Sequence, residues 1–304
     1  SWCTTLTPFI QFGFDVSLCD CDKNDLGLDI KHFEELCERE RPAVAILVHV
    51  LGHANQMDKI LEICKKYDVI LLEDTCEALG TTYNGKKCGS MGLAGSFSFY
   101  YGHHISTIEG GMVVTDDEKL YNLMIAIRSH GWARDVEKKY HDEWTKDFNV
   151  DEIRDLYTFY FSGFNLRSTD LNAFVGLSQI KKIDEYAKIR NRNYNLYREY
   201  LKDYYSQTSD SEFLSNFSYG VIVENRLEIF KHLSANGVEC RPLICGNIGQ
   251  HPFWIKKYGV PCNLPMADIV HNFGLYLPNH AMLTEEDVKY VCDKFKEVAI
   301  PKKL

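Results

Sequence analysis

At 304 residues, with 45% hydrophobic and 25% charged residues, the chain has the composition of an ordinary folded protein and room for a large domain plus a smaller one. Its formal net charge of -9 argues against nonspecific nucleic-acid binding, and no apolar run reaches the roughly 18 residues a transmembrane helix needs. The eleven cysteines are scattered without a paired rhythm and no secretory signal is visible, which together point to free thiols in a reducing cytoplasm.

In chain order, Val16–Cys19 is a short apolar run, and Ile30, Phe33 and Leu36 recur at helical spacing. The run AVAILVHV, Ala43–Val50, is continuously apolar and rich in β-branched residues, as in a strand covered on both faces. Met57, Ile60, Leu61 and Cys64 then mark an amphipathic helix through Tyr67, and Val69–Leu72 is a second buried strand running into Glu73 and Asp74. Strand, helix and strand so closely spaced form a βαβ unit and predict a mostly parallel sheet with helices on both faces. Phe97–Tyr101 and Gly111–Thr115 read as strands around a polar loop, and Glu118–Arg128 as a helix facing inward through Leu120, Leu123, Met124 and Ile127. Residues 135–156 are charged and without a core face, an irregular excursion.

From Thr169 to about Tyr204 the pattern is helical in two pieces, with Tyr186, Tyr194, Tyr197 and Tyr200 as packing residues. Ser218–Val223 is a strand, Arg226–Ala235 a helix stopped by Gly237, and Val238–Leu243 another strand. A closing helix begins at Thr284 with Asp287 at capping-box spacing, and buries Val288, Val291, Phe295 and Val298. The expected fold is α/β: a large domain over 1–183 and a smaller C-terminal α/β domain over 184–304.

Asp74 ends a buried strand, where open α/β sheets present ligand-binding residues. A carboxylate there needs a partner; it is either a helix N-cap or the mate of a protonated pyridine nitrogen. The segment FSFYYGHHISTIEGG, residues 97–111, sets a serine among aromatics, two adjacent histidines, and Glu-Gly-Gly at a strand entry. A histidine there can serve as a base near neutral pH. His49 and His53 are four apart but not on one helix, and no third ligand of recognisable spacing accompanies either pair, so no metal site is expected.

These segments resemble the DegT/StrS-type sugar aminotransferases, a branch of the type I pyridoxal-phosphate fold, and the likeness runs from Trp2 to near the C-terminus. SWCTTLTPFIQFGFDVSLCDCD, LLEDTCEALGTTYNGKKCGSMG and FNLRSTDLNAFVG are similar to three motifs of that family in the family's order. The resemblance implies a large cofactor domain of type I pyridoxal-phosphate transferases. It implies that Asp74 pairs with the pyridine nitrogen, that Ser98 contacts the cofactor phosphate, and that Trp2 lies beside the ring. Asn165 would reach the phosphate across a homodimer interface, so that the two sites are shared. The family's phosphate-binding segment precedes the Trp2 motif and is not in this sequence; weak cofactor retention and a longer natural chain are expected from that.

Two departures carry the functional expectation. The family's F-S-F-x-x-x-K pattern places lysine where this chain has His103, and Glu77 stands where glutamine is usual. Only a primary amine bonds covalently to the cofactor aldehyde, so pyridoxal or pyridoxamine 5′-phosphate would be held non-covalently. Both changes resemble the family's GDP-4-keto-6-deoxymannose 3-dehydratases, as do RSHGWARD, LYTFYFSGFN and ECRPLICGNIGQHPFW. The implied enzyme is a lyase of deoxysugar biosynthesis, leading to lipopolysaccharide O-antigen. It would remove the C3 hydroxyl of a nucleotide-linked 4-keto-6-deoxy sugar with His103 as base, and glutamate would restore the amine form of the cofactor. His130, Arg134, Arg241 and His251 are candidates for binding sugar and diphosphate. An iron–sulfur 3-dehydrase relative is disfavoured because no cysteine lies between Cys88 and Cys240. An aminotransferase is excluded by the lack of lysine within ten residues of His103. A cofactor-free scaffold dimer is the alternative from another class.

Overall fold

The structure, a computed structural model, describes residues 1–304. The N-terminal stretch turns through Cys3–Thr5 into a short helix α1 (Thr7–Gln11) and reaches α2 (Ile30–Glu40), which Asp29 caps by accepting the His32 N–H. The expected βαβ unit follows. Strand β1 (Val44–Val48), helix α3 (Met57–Tyr67) and β2 (Ile70–Asp74) form a right-length crossover, with β1 and β2 parallel from Val44↔Ile70 to Val48↔Asp74. Met57, Ile60, Ile63 and Cys64 face the sheet and are buried, a stripe of helical period. A two-residue hairpin, β3 (Thr82–Tyr83) and β4 (Lys86–Lys87), turns at Asn84-Gly85, both at positive φ. Strand β5 (Ala94–Ser98) pairs parallel with β2, and β6 (Gly111–Val114) antiparallel with β5, giving the order β1-β2-β5-β6.

The second half runs through α4 (Glu118–Arg128), α5 (Lys138–Asp147), α6 (Asp170–Gln179) and α7 (Ile183–Tyr200). It then builds a three-stranded antiparallel sheet from β7 (Tyr219–Ile222), β8 (Arg241–Pro242) and β9 (Gly274–Leu277), in the order β7-β9-β8. Helices α8 (Arg226–Ala235), α9 (Pro252–Tyr258), α10 (Pro265–Phe273) and α11 (Glu285–Lys296) complete it. Two cores result. One joins Phe33, Leu47, Met57, Ile60 and Leu71; the other joins Tyr197, Tyr219, Val221, Leu233 and Phe295. A third cluster, with Leu26, Val50 and Leu51 against Ile222, Leu243 and Val270, bonds the two halves beside the end of β1. The capping box at Thr284 is formed as expected, with the Asp287 N–H on Thr284 and the Thr284 N–H on Asp287. No helix is long and apolar enough to cross a membrane, and all eleven cysteines are free.

The structure corrects four sequence expectations. Residues 135–156 contain α5, stabilised by Trp144 packing on Tyr160 and Phe161 and by Lys139 reaching Glu118 at 2.5 Å. The strand expected at Phe97–Tyr101 begins three residues earlier at Ala94. Its small residues carry little β propensity, and they are there because a side chain on Gly95 would lie 2.1 Å from the Gly89 oxygen. The strand expected at Val238–Leu243 shrinks to Arg241–Pro242, since proline cannot extend the ladder and Leu243–Cys245 coils into a 3-10 turn. Helix α4 buries Asn122 and Ala126 rather than its leucines, which are half-buried at the rim.

Candidate active site

The site begins at the carboxyl end of β2. Side chains alternate along a strand, so Glu73 and Asp74 point to opposite faces. Glu73 is buried and accepts N–H groups from Gly89, Met91 and Gly92 at 2.6–2.7 Å. Asp74 faces the other way and takes the Thr5 hydroxyl on Oδ2 at 2.7 Å and the Cys76 N–H on Oδ1 at 3.2 Å. No helix starts there, so the N-cap alternative for Asp74 falls away.

Glu77 accepts the Leu51 N–H at 2.8 Å. Leu51 is fully buried with φ of 52°, an unusual backbone for a bulky residue, and it is that turn which aims its N–H at Glu77. The next residue, Gly52, has φ of 97° and lies so close to Ser215 that a Cβ would sit 2.5 Å from the Ser215 oxygen; only glycine fits. Burial pushes the Glu77 carboxyl from its ordinary 4.5 up to about 7; the Leu51 N–H opposes the rise and the Asp74 charge adds to it. A raised carboxyl favours the folded state when protonated, so its contribution is whole below pH 4.5 and is lost as pH rises through 7. Glu77→Gln keeps an oxygen for Leu51 and nothing to titrate. Its melting temperature is expected to exceed the parent's at pH 8 and to match it near pH 4.5. A constant difference across that range in circular-dichroism melts would contradict this assignment.

After β5 the chain turns sharply: the Ser98 hydroxyl accepts the Tyr100 N–H at 3.3 Å and the His103 N–H meets the Tyr100 carbonyl at 3.0 Å. His103 packs 5.3 Å from the Phe217 ring, and its Nδ1 is buried without a hydrogen-bond partner. Burial pushes the imidazole below its ordinary value; the Cys76 carbonyl and the Asp74 carboxylate pull it up, and the Arg190 guanidinium pushes it down. A neutral imidazole beside a carboxylate can act as a base. His104 is buried and structural, with Nε2 on the Ser215 carbonyl at 3.0 Å. His49 and His53 do not face one another: His49 Nε2 meets Glu73 at 3.0 Å and His53 Nδ1 meets Ser209 at 3.0 Å.

Asp74 therefore lies within electrostatic reach of both Glu77 and His103, with Ser98 at the turn that leads to His103. The remaining sequence candidates lie further out. Trp2 is 61% exposed, one turn before Thr5. Asn165 is exposed and bridges to Ser129. His130 takes the Arg167 guanidinium on Nε2 at 3.2 Å, and Arg134 lies over the Trp132 ring at 5.3 Å, so these residues make a separate exposed cluster. There Gly131, with φ of 87°, admits no side chain, because a Cβ would lie 1.9 Å from the Phe161 oxygen. Arg241 pairs with Glu239 at 2.6 Å on the surface, and His251 Nε2 meets the Cys245 carbonyl at 2.9 Å. Sequence reasoning missed Thr5, Arg167, Arg190 and Phe217. Thr5 and Arg167 stood inside the quoted motifs; Arg190 and Phe217 carried no local signal.

The model of the DegT/DnrJ/EryC1/StrS aminotransferase family matches residues 1–296. The chain belongs to that family. Among curated relatives in the DegT/DnrJ/EryC1/StrS family, GDP-4-keto-6-deoxy-D-mannose 3-dehydratase of Escherichia coli O55:H7 is 33% identical, over 97% of this chain and 78% of the relative. Among solved structures, a mutant GDP-4-keto-6-deoxymannose-3-dehydratase with bound GDP-perosamine superposes with a TM-score of 0.89 at 32% identity, covering 97% of this chain and 78% of that one. A structure of the same named enzyme with a trapped PLP-glutamate geminal diamine gives 0.88 at 31% identity, with the same coverage. The mixed sheet with helices on both sides is thus the aminotransferase fold of this family.

Proposed function

We propose that the protein is a lyase dependent on pyridoxal and pyridoxamine 5′-phosphate. It would remove the C3 hydroxyl of a nucleotide-linked 4-keto-6-deoxy sugar, GDP-4-keto-6-deoxy-D-mannose, with glutamate as amino donor. The observation that carries this is His103: a buried, unpartnered imidazole nitrogen beside Asp74, where the family pattern has an amine. The residues present fit such a cofactor. Asp74 keeps lone pairs beyond those used by Thr5 and Cys76, and His103 Nδ1 has no protein partner. When bound, the cofactor supplies a primary amine for the 4-keto carbon and a conjugated ring that takes up electron density.

Asp74 would hold the ring nitrogen in its protonated form, and the Thr5 hydroxyl fixes the rotamer in which it does so. Ser98 would bind phosphate, Trp2 would cover the ring, and Glu77 would border it. His103 in its neutral form would take up on Nδ1 the proton lost from the carbon that bears the cofactor's amine, and return it to the departing C3 hydroxyl oxygen so that it leaves as water. Arg241 and His251 would serve the sugar and diphosphate from the small-sheet side, His130 and Arg134 from the exposed cluster.

A homodimer accounts for α6. That helix has no buried residue, and Leu171, Phe174, Leu177 and Ile180, spaced three apart, are each more than half exposed. An apolar stripe of that extent calls for a covering surface, and two-fold symmetry supplies one in a second copy. Asn165, exposed five residues before α6, would then complete the other protomer's phosphate site. The eleven free cysteines suit a reducing cytoplasm.

The test supplies pyridoxamine phosphate, glutamate and GDP-4-keto-6-deoxymannose, and follows ammonia and 3-deoxy sugar. The expected result is both products from a protein that sediments at twice the mass of one chain. An amino sugar as product, or no turnover of the keto sugar, would overturn the proposal.

A further inference from the structure

Arg190 on α7 is one of the most deeply buried cations in the chain, at 4% exposure, and it has no acidic partner. A guanidinium in that position is costly unless its donors are used and its charge serves some purpose. Its Nη1 donates to the carbonyls of Asn216 at 3.4 Å, Phe217 at 2.9 Å and Asn279. These bonds clamp residues 215–217, the strap that carries the active-site loop. The Ser215 carbonyl holds His104, the Asn216 side chain holds the Leu51 carbonyl at 2.9 Å, and the Phe217 ring lies against His103. Asn279 closes the network, donating to the Arg190 carbonyl at 3.0 Å and the Asn216 side chain at 2.9 Å. The guanidinium carbon sits 6.0 Å from the centre of the same Phe217 ring.

We propose that Arg190 is a positioning residue for His103: its hydrogen bonds seat the strap on which the imidazole rests, and its guanidinium faces the imidazole across the Phe217 ring. This rests on the reading of His103 as a base. The groups facing His103 are Asp74 and the Cys76 carbonyl from the end of β2, Tyr100 and His104 from its own loop, and Arg190 from α7. Asp74, the only acid in that set, favours the imidazolium, and an imidazolium has no lone pair with which to accept a proton. Burial is the main influence against it, and Arg190 adds to burial as the one fixed cation among these groups. Arg190 stays charged while doing so, since burial lowers it only to about 10. The same strap reaches Leu51 and through it Glu77, so one buried arginine steadies both departures from the aminotransferase pattern.

The test is nuclear magnetic resonance of histidine-labelled protein, with His103 assigned by its loss in His103→Asn, titrated without substrate. In the parent, His103 is expected to titrate below the ordinary 6.5. In Arg190→Met its midpoint should rise above the parent's, and the acidic limb of kcat/KM should move with it. Arg190→Lys keeps a cation and should titrate like the parent even where it melts earlier. A merely structural arginine would lower stability in both variants and leave the midpoint unmoved, which overturns the proposal. Should Arg190→Met fail to fold, a parent midpoint at or above 6.5 overturns it equally. Failure of the base assignment itself reads differently: His103→Asn would then retain deoxygenation, whatever the titration gives.

Discussion

His103→Asn is expected to deoxygenate the keto sugar about 10²- to 10⁴-fold more slowly than the parent, the range for loss of a positioned general base. The substitution is structurally mild. His103 Nδ1 bonds to nothing in the protein, and the main-chain bond from His103 to Tyr100 is unaffected by the side chain. Asparagine keeps a polar group at the pocket but offers no nitrogen lone pair that protonates near pH 7. Folding, the turn after β5 and the Asp74 and Ser98 side chains proposed to meet the cofactor should therefore persist while proton transfer is lost. His103→Lys makes the complementary case. It restores the primary amine, and is expected to retain the cofactor through dialysis while still failing to deoxygenate. Single-turnover formation of 3-deoxy sugar, with melting curves as a control for folding, separates these outcomes. A His103→Asn rate within about tenfold of the parent would remove His103 from the role of base.

The largest stability effect is expected at Glu73. Its carboxylate is fully buried beneath the sheet and accepts four donors: three backbone N–H groups of the loop 89–92 and His49 Nε2. His49 Nδ1 lies 3.3 Å from the Asn55 N–H, which requires a lone pair there. The ring is thus neutral, carrying its hydrogen on Nε2, even though Cys88 and Glu73 both favour the imidazolium. Burial raises the Glu73 carboxyl, but His49 and the Gly92 and Gly89 N–H groups outweigh it and hold it below its ordinary value. A lowered carboxyl contributes stability that is present above the unfolded value of about 4.3 and lost as pH falls through the folded value.

Glu73→Gln turns an NH₂ group toward donors and leaves the loop without its anchor. The cost expected is roughly 2–5 kcal/mol, that of losing hydrogen bonds to a buried charged group and leaving buried donors unsatisfied, or a fall in melting temperature of order 10 °C for a chain of this size. The deficit should shrink as the parent is taken into acid, because there the parent loses the same carboxylate. Guanidinium titrations at pH 7 and pH 4 measure both. A loss under about 1 kcal/mol at pH 7 would mean that the loop is held by its glycine packing and not by Glu73.

Much of this architecture was legible in advance for a definable reason. The bounds of α3, α4 and α8 and the capping box of α11 follow from local periodicity and capping chemistry, which involve residues within four positions of each other. Asp74 was a candidate because buried strand ends present ligand-binding residues, and Ser98 because of the family resemblance. Helix α5 was missed because the residues that stabilise it, Tyr160 and Phe161, lie beyond its own end. The early start of β5 was hidden because it answers to Gly89 rather than to propensity.

The site divides the same way. The absence of an amine at position 103 and the presence of an acid at the end of a buried strand are facts of covalent chemistry, and the sequence alone determined them. Whether the imidazole there carries a proton is a question of burial and of charges brought from far along the chain. Thr5 lies 69 residues from Asp74, Ser215 lies 111 residues from His104, and Arg190 comes from another helix altogether. The same holds for α6, whose helical pattern was readable but whose outward-facing apolar stripe was not. Periodicity records that a face is apolar; only the packed chain decides whether that face meets its own core or is left for a second molecule.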